Sequence, residues 1–334
     1  MQSVYCLILC SGTLLFFLLH SYQAPAKNLR ILIDSDIGLG KFYDPKKAIP
    51  ADIDDAYAIL NALHSPQLEV AGITTVFGNT QVEAANQSVQ KILGLSKNSH
   101  IPWNSGAIES GKEKNPCPSG AKRAAESMAK SLQHSPAYIL AIGPLTNISC
   151  MLATHKEVSS KINEVLVVMG QSTNIEFSIN NIHVQDLNFE SDILAAKTLL
   201  KSKIPMSFFP FELTKKILIN HNRIRQINSR NTLVNYLRNS SFDFINHWHK
   251  VFKEDGFHPW DNAPVAYLKN PEWFRCEKRN MIIENKNGKI KLLAKSIRQG
   301  HTPWNFCYDF ATKNSMNEFR DDVLDMIIQK TDQS

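Results

Sequence analysis

Asp34, Asp36, Asp54 and Asp55 are the residues whose types and spacing point most sharply to chemistry. They lie within Leu29 to Leu60, where an apolar run ends in one pair of carboxylates and a second pair opens an alanine-rich segment. One acid at a helix start is explained by capping and by compensation of the helix dipole. Several on one loop require more, because converging carboxylates repel one another unless a cation lies between them. A hard cation such as Ca²⁺ takes roughly six to eight oxygen ligands. The pattern therefore predicts a divalent-cation site.

The elements that must position these acids follow from periodicity. Leu29 to Ile33 is short, branched and apolar, as in a buried parallel strand, and Asp54 to Leu63 has the composition of a helix. The acids then sit at a strand's carboxyl end and a helix's amino end, the edge of an open α/β sheet where ligands bind. Leu68 to Val76, Tyr138 to Ile142, Val165 to Met169 and Met206 to Phe209 read as further strands. Helices are expected at Gln81 to Leu95, from Leu145, over Ala195 to Leu200, as a pair within Asn220 to Phe252, and over roughly Asn317 to Gln329. The fold class is α/β, a doubly wound, mostly parallel central sheet flanked by helices. Asn280 to Leu293 alternates around Asn287-Gly288 and predicts a small C-terminal β-hairpin. Ile101 to Pro118, rich in turn residues, is expected to run as a loop over the crevice, and Gly170 to Asn188 is a long polar loop of the kind that carries function. No repeat or boundary divides residues 27–334, which read as one catalytic domain.

The formal charge of +6 is scattered, which disfavours nucleic-acid binding. Val4 to Leu19 is almost wholly apolar and no charged residue precedes Lys27, so residues 1–26 read as a secretory leader with a small-residue site at Ala24-Pro25-Ala26, though the usual basic start is missing. The expectation is a secreted or periplasmic protein with no stable membrane association after leader removal. Beyond the leader, Cys117, Cys150, Cys276 and Cys307 have no metal-type spacing. In an oxidising compartment they allow one or two disulfides in three pairings, while Cys150, inside an expected buried helix, reads as a plain core thiol.

The ordered pieces Asp34-Ser-Asp36, Asp54-Asp55, Val76-Phe-Gly-Asn79, Gly143-Pro-Leu-Thr-Asn147, Val167-Val-Met-Gly170, Asp186-Leu-Asn188 with Asp192, and Trp260-Asp261 span almost the whole chain after the leader. Together they resemble the inosine-uridine-type nucleoside hydrolases. The resemblance implies hydrolysis of the N-glycosidic bond of ribonucleosides with Ca²⁺ as cofactor, and a homo-oligomer, dimer or tetramer, is compatible with it. It assigns Asp36, Asp55, Asp261 and the backbone carbonyl of Ile142 to the metal, Asp36 also to the general base, and Asp34 to a supporting position. Asp54, Asn79, Asn180 and Asn188 match groups that hold ribose hydroxyls, Met169 a residue beneath the sugar, and Asp186 a sugar contact.

The chain departs from the family pattern in two places. The family's acid pair follows its first ligand closely, whereas Asp36 and Asp54 are eighteen positions apart, an insertion of about fourteen residues over Leu39 to Asp52 whose own Asp44 and Asp52 compete as ligands. Asp186 stands where Glu is usual, so its carboxylate is retracted. Trp260 stands where one branch has a His that protonates the leaving base. Trp here resembles the purine-preferring branch, in which the indole stacks on the base. His258 is the candidate acid, with His183 and His249 as weaker ones. Two rival readings are a phosphatase using the first Asp pair and a secreted nucleoside-binding protein without turnover.

Overall fold

Nine strands form the central sheet of the protein in the computed structural model, which describes residues 28–173, 177–227, 231–286 and 288–331. The expected leader and Asn287 lie outside the described residues. In chain order the strands are β1 (Leu29–Ser35), β2 (Leu68–Thr75), β3 (Trp103–Asn104), β4 (Ala137–Ala141), β5 (Ile162–Val167), β6 (Met206–Phe208), β7 (Phe274–Lys286), β8 (Lys289–Lys295) and β9 (Trp304–Phe310). Across the sheet they lie in the order β8-β7-β9-β6-β5-β4-β1-β2-β3. All pairings from β3 to β9 are parallel, and β7 runs antiparallel to both β8 and β9.

Helices cover both faces, giving two apolar cores. Helix α1 (Asp54–His64), α2 (Val82–Leu95), α6 (Thr232–Phe252), α7 (Asn262–Lys269) and α8 (Lys313–Thr331) contribute to the first. Helix α3 (Ala121–His134), α4 (Thr146–Thr154) and α5 (Ile193–Ser202) contribute to the second. Strands buried on both faces have no room for alternation, which explains the continuous apolar runs of β1, β4 and β5.

Several expectations are corrected. The hairpin Asn280 to Leu293 forms, with Gly288 at φ +79°, but β7 continues back to Phe274 and pairs with β9, so the hairpin extends the central sheet as its antiparallel edge. Strand β9 was not legible, since its partner is distant in sequence. Ile101 to Pro118 does not cover the crevice: it supplies edge strand β3, and Cys117 is joined to Cys150 of α4. Cys150 is therefore buried as one half of a disulfide, not as a free thiol, and a second disulfide joins Cys276 on β7 to Cys307 on β9. Among the described residues no helix is long and apolar enough to cross a membrane.

The Leu39 to Asp52 insertion folds as a two-stranded antiparallel ribbon, Phe42–Asp44 with Ile49–Pro50. It is tied down from three sides: the Tyr236 hydroxyl donates to Leu39 O at 2.9 Å, the Thr80 hydroxyl to Phe42 O at 2.9 Å, and Lys41 Nζ to Gln87 Oε1 at 2.6 Å. The ribbon is a fixed wall beside the acid pairs.

Candidate active site

The acids gather where the strand order reverses. From β1 the chain steps outward to β2 and β3, then returns to β4 on the other side of β1, so the carboxyl ends of β1 and β4 flank a natural crevice. Asp36 follows β1, Ile142 follows β4, Asp54 and Asp55 open α1, and Asp261 immediately precedes α7. Two helix amino ends thus point into the crevice, and their partial positive charge favours carboxylates there.

Carboxylate oxygens of Asp54, Asp55 and Asp261 lie within 4.8 Å of one another. The Asp261 backbone N–H donates to Asp54 Oδ2 at 3.0 Å and the Ser35 hydroxyl to Asp55 Oδ1 at 2.5 Å. Asp36 Oδ2 accepts the Asn79 backbone N–H at 2.7 Å. Behind them, Asp34 Oδ1 accepts the Thr74 hydroxyl at 2.6 Å and the Asn147 amide at 2.8 Å, while its Oδ2 is buried without a partner.

The glycines of the two loop motifs are explained by this cluster. A Cβ on Gly78 would stand 2.1 Å from Asp36 Oδ2, and one on Gly143 would stand 2.9 Å from the Asp36 backbone nitrogen. Gly78 also has φ +150°, which a side chain rarely adopts. Asn147, which closes the second motif, holds Asp34, Thr75 O at 2.8 Å and the Ala107 N–H at 2.9 Å, locking three loops together.

Electrostatics test whether a cation fits. Burial pushes Asp34 up to about 6, Asp36 to about 8 and Asp54 to about 6. Burial also drives Asp52, Asp55 and Asp261 well above the usual carboxylate range. The charges acting on Asp36, Asp52, Asp55 and Asp261 belong to other carboxylates. A buried, oxygen-only donor set without a basic partner is matched by a hard divalent cation. Asp54, Asp55 and Asp261 are the residues placed to hold it, with Asp36 adjacent. Asp54, matched to a ribose-holding group, thus lies in one carboxylate triplet with Asp55 and Asp261, and Asp36, matched to the metal, lines the same cavity beside them.

The cluster forms one wall of a cavity of about 300 Å³. Asp36, Asp54, Asp55, Asn79, Ile142, Met169, Asp186, Asn188, Trp260 and Asp261 all line it. Asn79 spends its amide on the insertion, donating to Asp52 O at 2.9 Å and accepting the Asp52 N–H at 2.7 Å. Asn188 donates to Val168 O at 3.1 Å. Asp186 caps the short Leu187–Ser191 helix: Oδ2 accepts the Gly170 N–H at 2.7 Å and Oδ1 the Phe189 N–H at 3.4 Å, and burial raises its carboxyl to about 7.

Asn180 and His258 are not among the lining residues. Asn180 is exposed in the turn between Ser178–Ile179 and Ile182–His183, at φ +48°, and its amide donates to Phe252 O at 2.8 Å. His258 is buried beside Trp260, with Nδ1 2.7 Å from Ile217 O and Nε2 2.8 Å from Glu254 Oε2, so both nitrogens face acceptors away from the cavity. His183 and His249 are exposed and do not line it either.

Trp260 is 9% exposed and sits among the rings of Phe211, at 4.5 Å between centroids, and Trp248, at 5.7 Å. Its indole N–H is buried without a partner. Four lining residues, Phe244, His247, Trp248 and Phe252, come from α6, and no motif in the sequence marks them. Their spacing of three, four and eight marks one helix face, but a buried aromatic stripe reads equally as core. Tyr43, Ile49, Pro50 and Asp52 of the insertion complete the wall.

The comparisons with known proteins agree with this geometry. The family model described as inosine-uridine preferring nucleoside hydrolase matches residues 41–317, beginning inside the insertion, so Asp34 and Asp36 are placed by structure and motif. A pyrimidine-specific ribonucleoside hydrolase RihA of Salmonella paratyphi C is 31% identical over 257 residues, covering 70% of this chain and 81% of that protein. The protein of that name from Escherichia coli O127:H6 is 30% identical over 255 residues, covering 69% and 81%. Among solved structures, a purine-preferring ribonucleoside hydrolase from Gardnerella vaginalis superposes with a TM-score of 0.73 at 18% identity, covering 90% of this chain and 99% of that one. The plant nucleoside hydrolase PpNRh1 gives 0.73 at 16% identity, covering 89% and 99%. With the acid crevice, the sheet order and the family match in agreement, this chain belongs to the inosine-uridine preferring nucleoside hydrolase family and is an enzyme of the nucleoside hydrolase type.

Proposed function

We propose that this enzyme is a Ca²⁺-dependent hydrolase that favours purine ribonucleosides, releases free base and ribose, and uses Asp36 as the base that activates water. The observation that carries the reading is the buried, oxygen-only acid cluster facing an aromatic-walled cavity of about 300 Å³. A bound divalent cation supplies positive charge that keeps these carboxylates ionised and acidifies water. Asp36, held by Asn79, takes a proton from the attacking water; Met169 packs under the sugar; the Trp260 cluster receives the base. A purine offers those rings the larger face, and stacking contributes on the order of 1 kcal/mol beyond area burial. A second reading, pyrimidine preference, is favoured by the names of the RihA relatives. We further propose export from the cytosol, which the two disulfides support.

Assay of free ribose from inosine, adenosine, guanosine, uridine and cytidine, with and without chelator, tests the cation, the base and the preferred substrate together. Chelator should stop turnover, Ca²⁺ should restore it, and Asp36→Asn should be nearly inactive while folded. Purines should lead, and Trp260→Ala should lower kcat/KM for inosine far more than for uridine. Faster uridine turnover selects the pyrimidine reading, and full activity of Asp36→Asn or of chelated protein refutes the mechanism.

A further inference from the structure

When the C1′–N bond breaks, the electron pair stays on the base, which departs far more readily if a proton reaches it. His258 cannot deliver one from its position, since both of its nitrogens face Ile217 O and Glu254. We infer that His247 is the leaving-group acid of this enzyme, an inference that rests on the hydrolase reading above.

His247 stands on α6 between Phe244 and Trp248, and among the described lining residues of the cavity it is the one imidazole. It is half-buried. The carboxylates of the cation cluster do the reverse of an acid, because they hold negative charge and accept protons. The aromatic side chains around His247 mark where a planar base can lie. The acid therefore stands at the base end of the cavity, apart from the sugar-activating end.

A second feature suits His247 to repeated turnover. Behind it lies another cavity of about 440 Å³, between the insertion ribbon and the outer stripe of α6. His247 and Pro50 line both cavities. An imidazole at that junction gives its proton on one side and is reprotonated from the other. The insertion thus acquires a role: it builds the second cavity and closes the base end of the first.

The step balances. The protonated imidazole donates to the base nitrogen as the C1′–N bond breaks, the water oxygen bonds C1′, and the water proton passes to the Asp36 carboxylate. Solvent then returns a proton to His247 and removes one from Asp36. Burial, and secondarily the Lys250 charge, lower the His247 pKa. Asp243 on its own helix, and Lys41, Tyr43 and Asp52 of the insertion, are the other titratable groups lining the two cavities around it, together with the acid cluster and Asp186. Only the protonated ring serves, so kcat falls as pH rises through that lowered value.

The test uses the Ca²⁺-loaded, full-length mature enzyme and two leaving groups. His247→Gln should lower kcat on the best natural nucleoside by roughly a hundredfold or more. On 4-nitrophenyl β-D-ribofuranoside, whose leaving group departs as a stable anion, it should stay within about threefold of wild type, a normal margin for an uninvolved side chain. The alkaline fall in kcat on the nucleoside should vanish in the variant. Equal losses on both substrates would mark His247 as structural, and no loss on either would exclude it; both overturn the inference. Wild-type protein that cleaves neither substrate would instead overturn the hydrolase reading on which it rests.

Discussion

Gly143 shows how a residue with no functional group can govern the chemistry of one that has it. Its missing Cβ leaves room for the Asp36 backbone and carboxyl carbon, which a methyl group would meet at 2.9 and 3.2 Å. Gly143→Ala should therefore shift Asp36 by tenths of an ångström and, if Asp36 is the proposed base, lower kcat by about tenfold to a hundredfold, because small misplacements of a reacting group are costly. Binding of a substrate analogue should change much less, and unchanged kcat would show that the loop yields without moving Asp36. Asn147 and Thr74 act similarly on Asp34, and Asn79 joins Asp36 to the insertion. These polar residues are legible as loop amides or hydroxyls in the sequence, but their partners are 27 to 113 positions away.

At the scale of elements, the acid triplet depends on how α1 and α7 are held. Lys269, at the end of α7, is 8% exposed and donates to Asn61 of α1 at 2.7 Å and to both carboxylate oxygens of Asp322 of α8 at 2.6 Å. Burial lowers the Lys269 pKa, and the Asp322 carboxylate opposes that shift. Removing the acid leaves a buried cation without compensation. Asp322→Ala should cost about 3 kcal/mol or more in denaturant unfolding. It should also loosen cation binding, since α1 carries Asp54 and Asp55 while α7 follows Asp261 directly. A stability loss below about 1 kcal/mol, itself within the range of a surface pair, would show that Lys269 escapes to solvent. Helices α1 and α8 were readable from composition, whereas α7, only eight residues long, was not. That all three are fastened through one lysine was not readable either, because a Lys near a helix C-terminus ordinarily reads as a solvated charge favoured by the dipole.

For the whole molecule, the doubly wound sheet concentrates negative charge at one point and thereby sets its response to pH. Asp34, Asp36 and Asp54 titrate near 6, 8 and 6 in the folded chain, above the value of 3.8 for an unperturbed carboxyl. Between those values the folded state holds protons that the unfolded chain has released, so stability falls as pH rises from about 4 through 8. In chelator, the melting temperature should be lower at pH 8 than at pH 5. Millimolar Ca²⁺ should raise it most at pH 8, because a ligand of the folded state alone stabilises it. A melting temperature in chelator that climbs from pH 5 to pH 8 would contradict the cluster's electrostatics. The disulfides act independently of this effect: each closes a loop of just over 30 residues, a separation of 33 for Cys117–Cys150 and 31 for Cys276–Cys307, and contributes about 3–4 kcal/mol in the chain-entropy account.

The sequence by itself determined what local chemistry can specify. Apolar runs ending in Asp36 and a helix opening with Asp54-Asp55 established an α/β sheet with acids at its carboxyl edge, and the ordered motifs carried the family. Those features are periodic or contiguous, so neighbouring residues suffice to read them. The tertiary structure alone decided which groups meet. It brought Asp54 together with Asp55 and Asp261, paired Cys117 with Cys150, turned His258 toward Glu254 and Asn180 toward Phe252, and set α6 and the insertion against the site. The physical reason is the strand order: the return from β3 to β4 brings distant loops to one crevice, and only packing determines which side chain points into it.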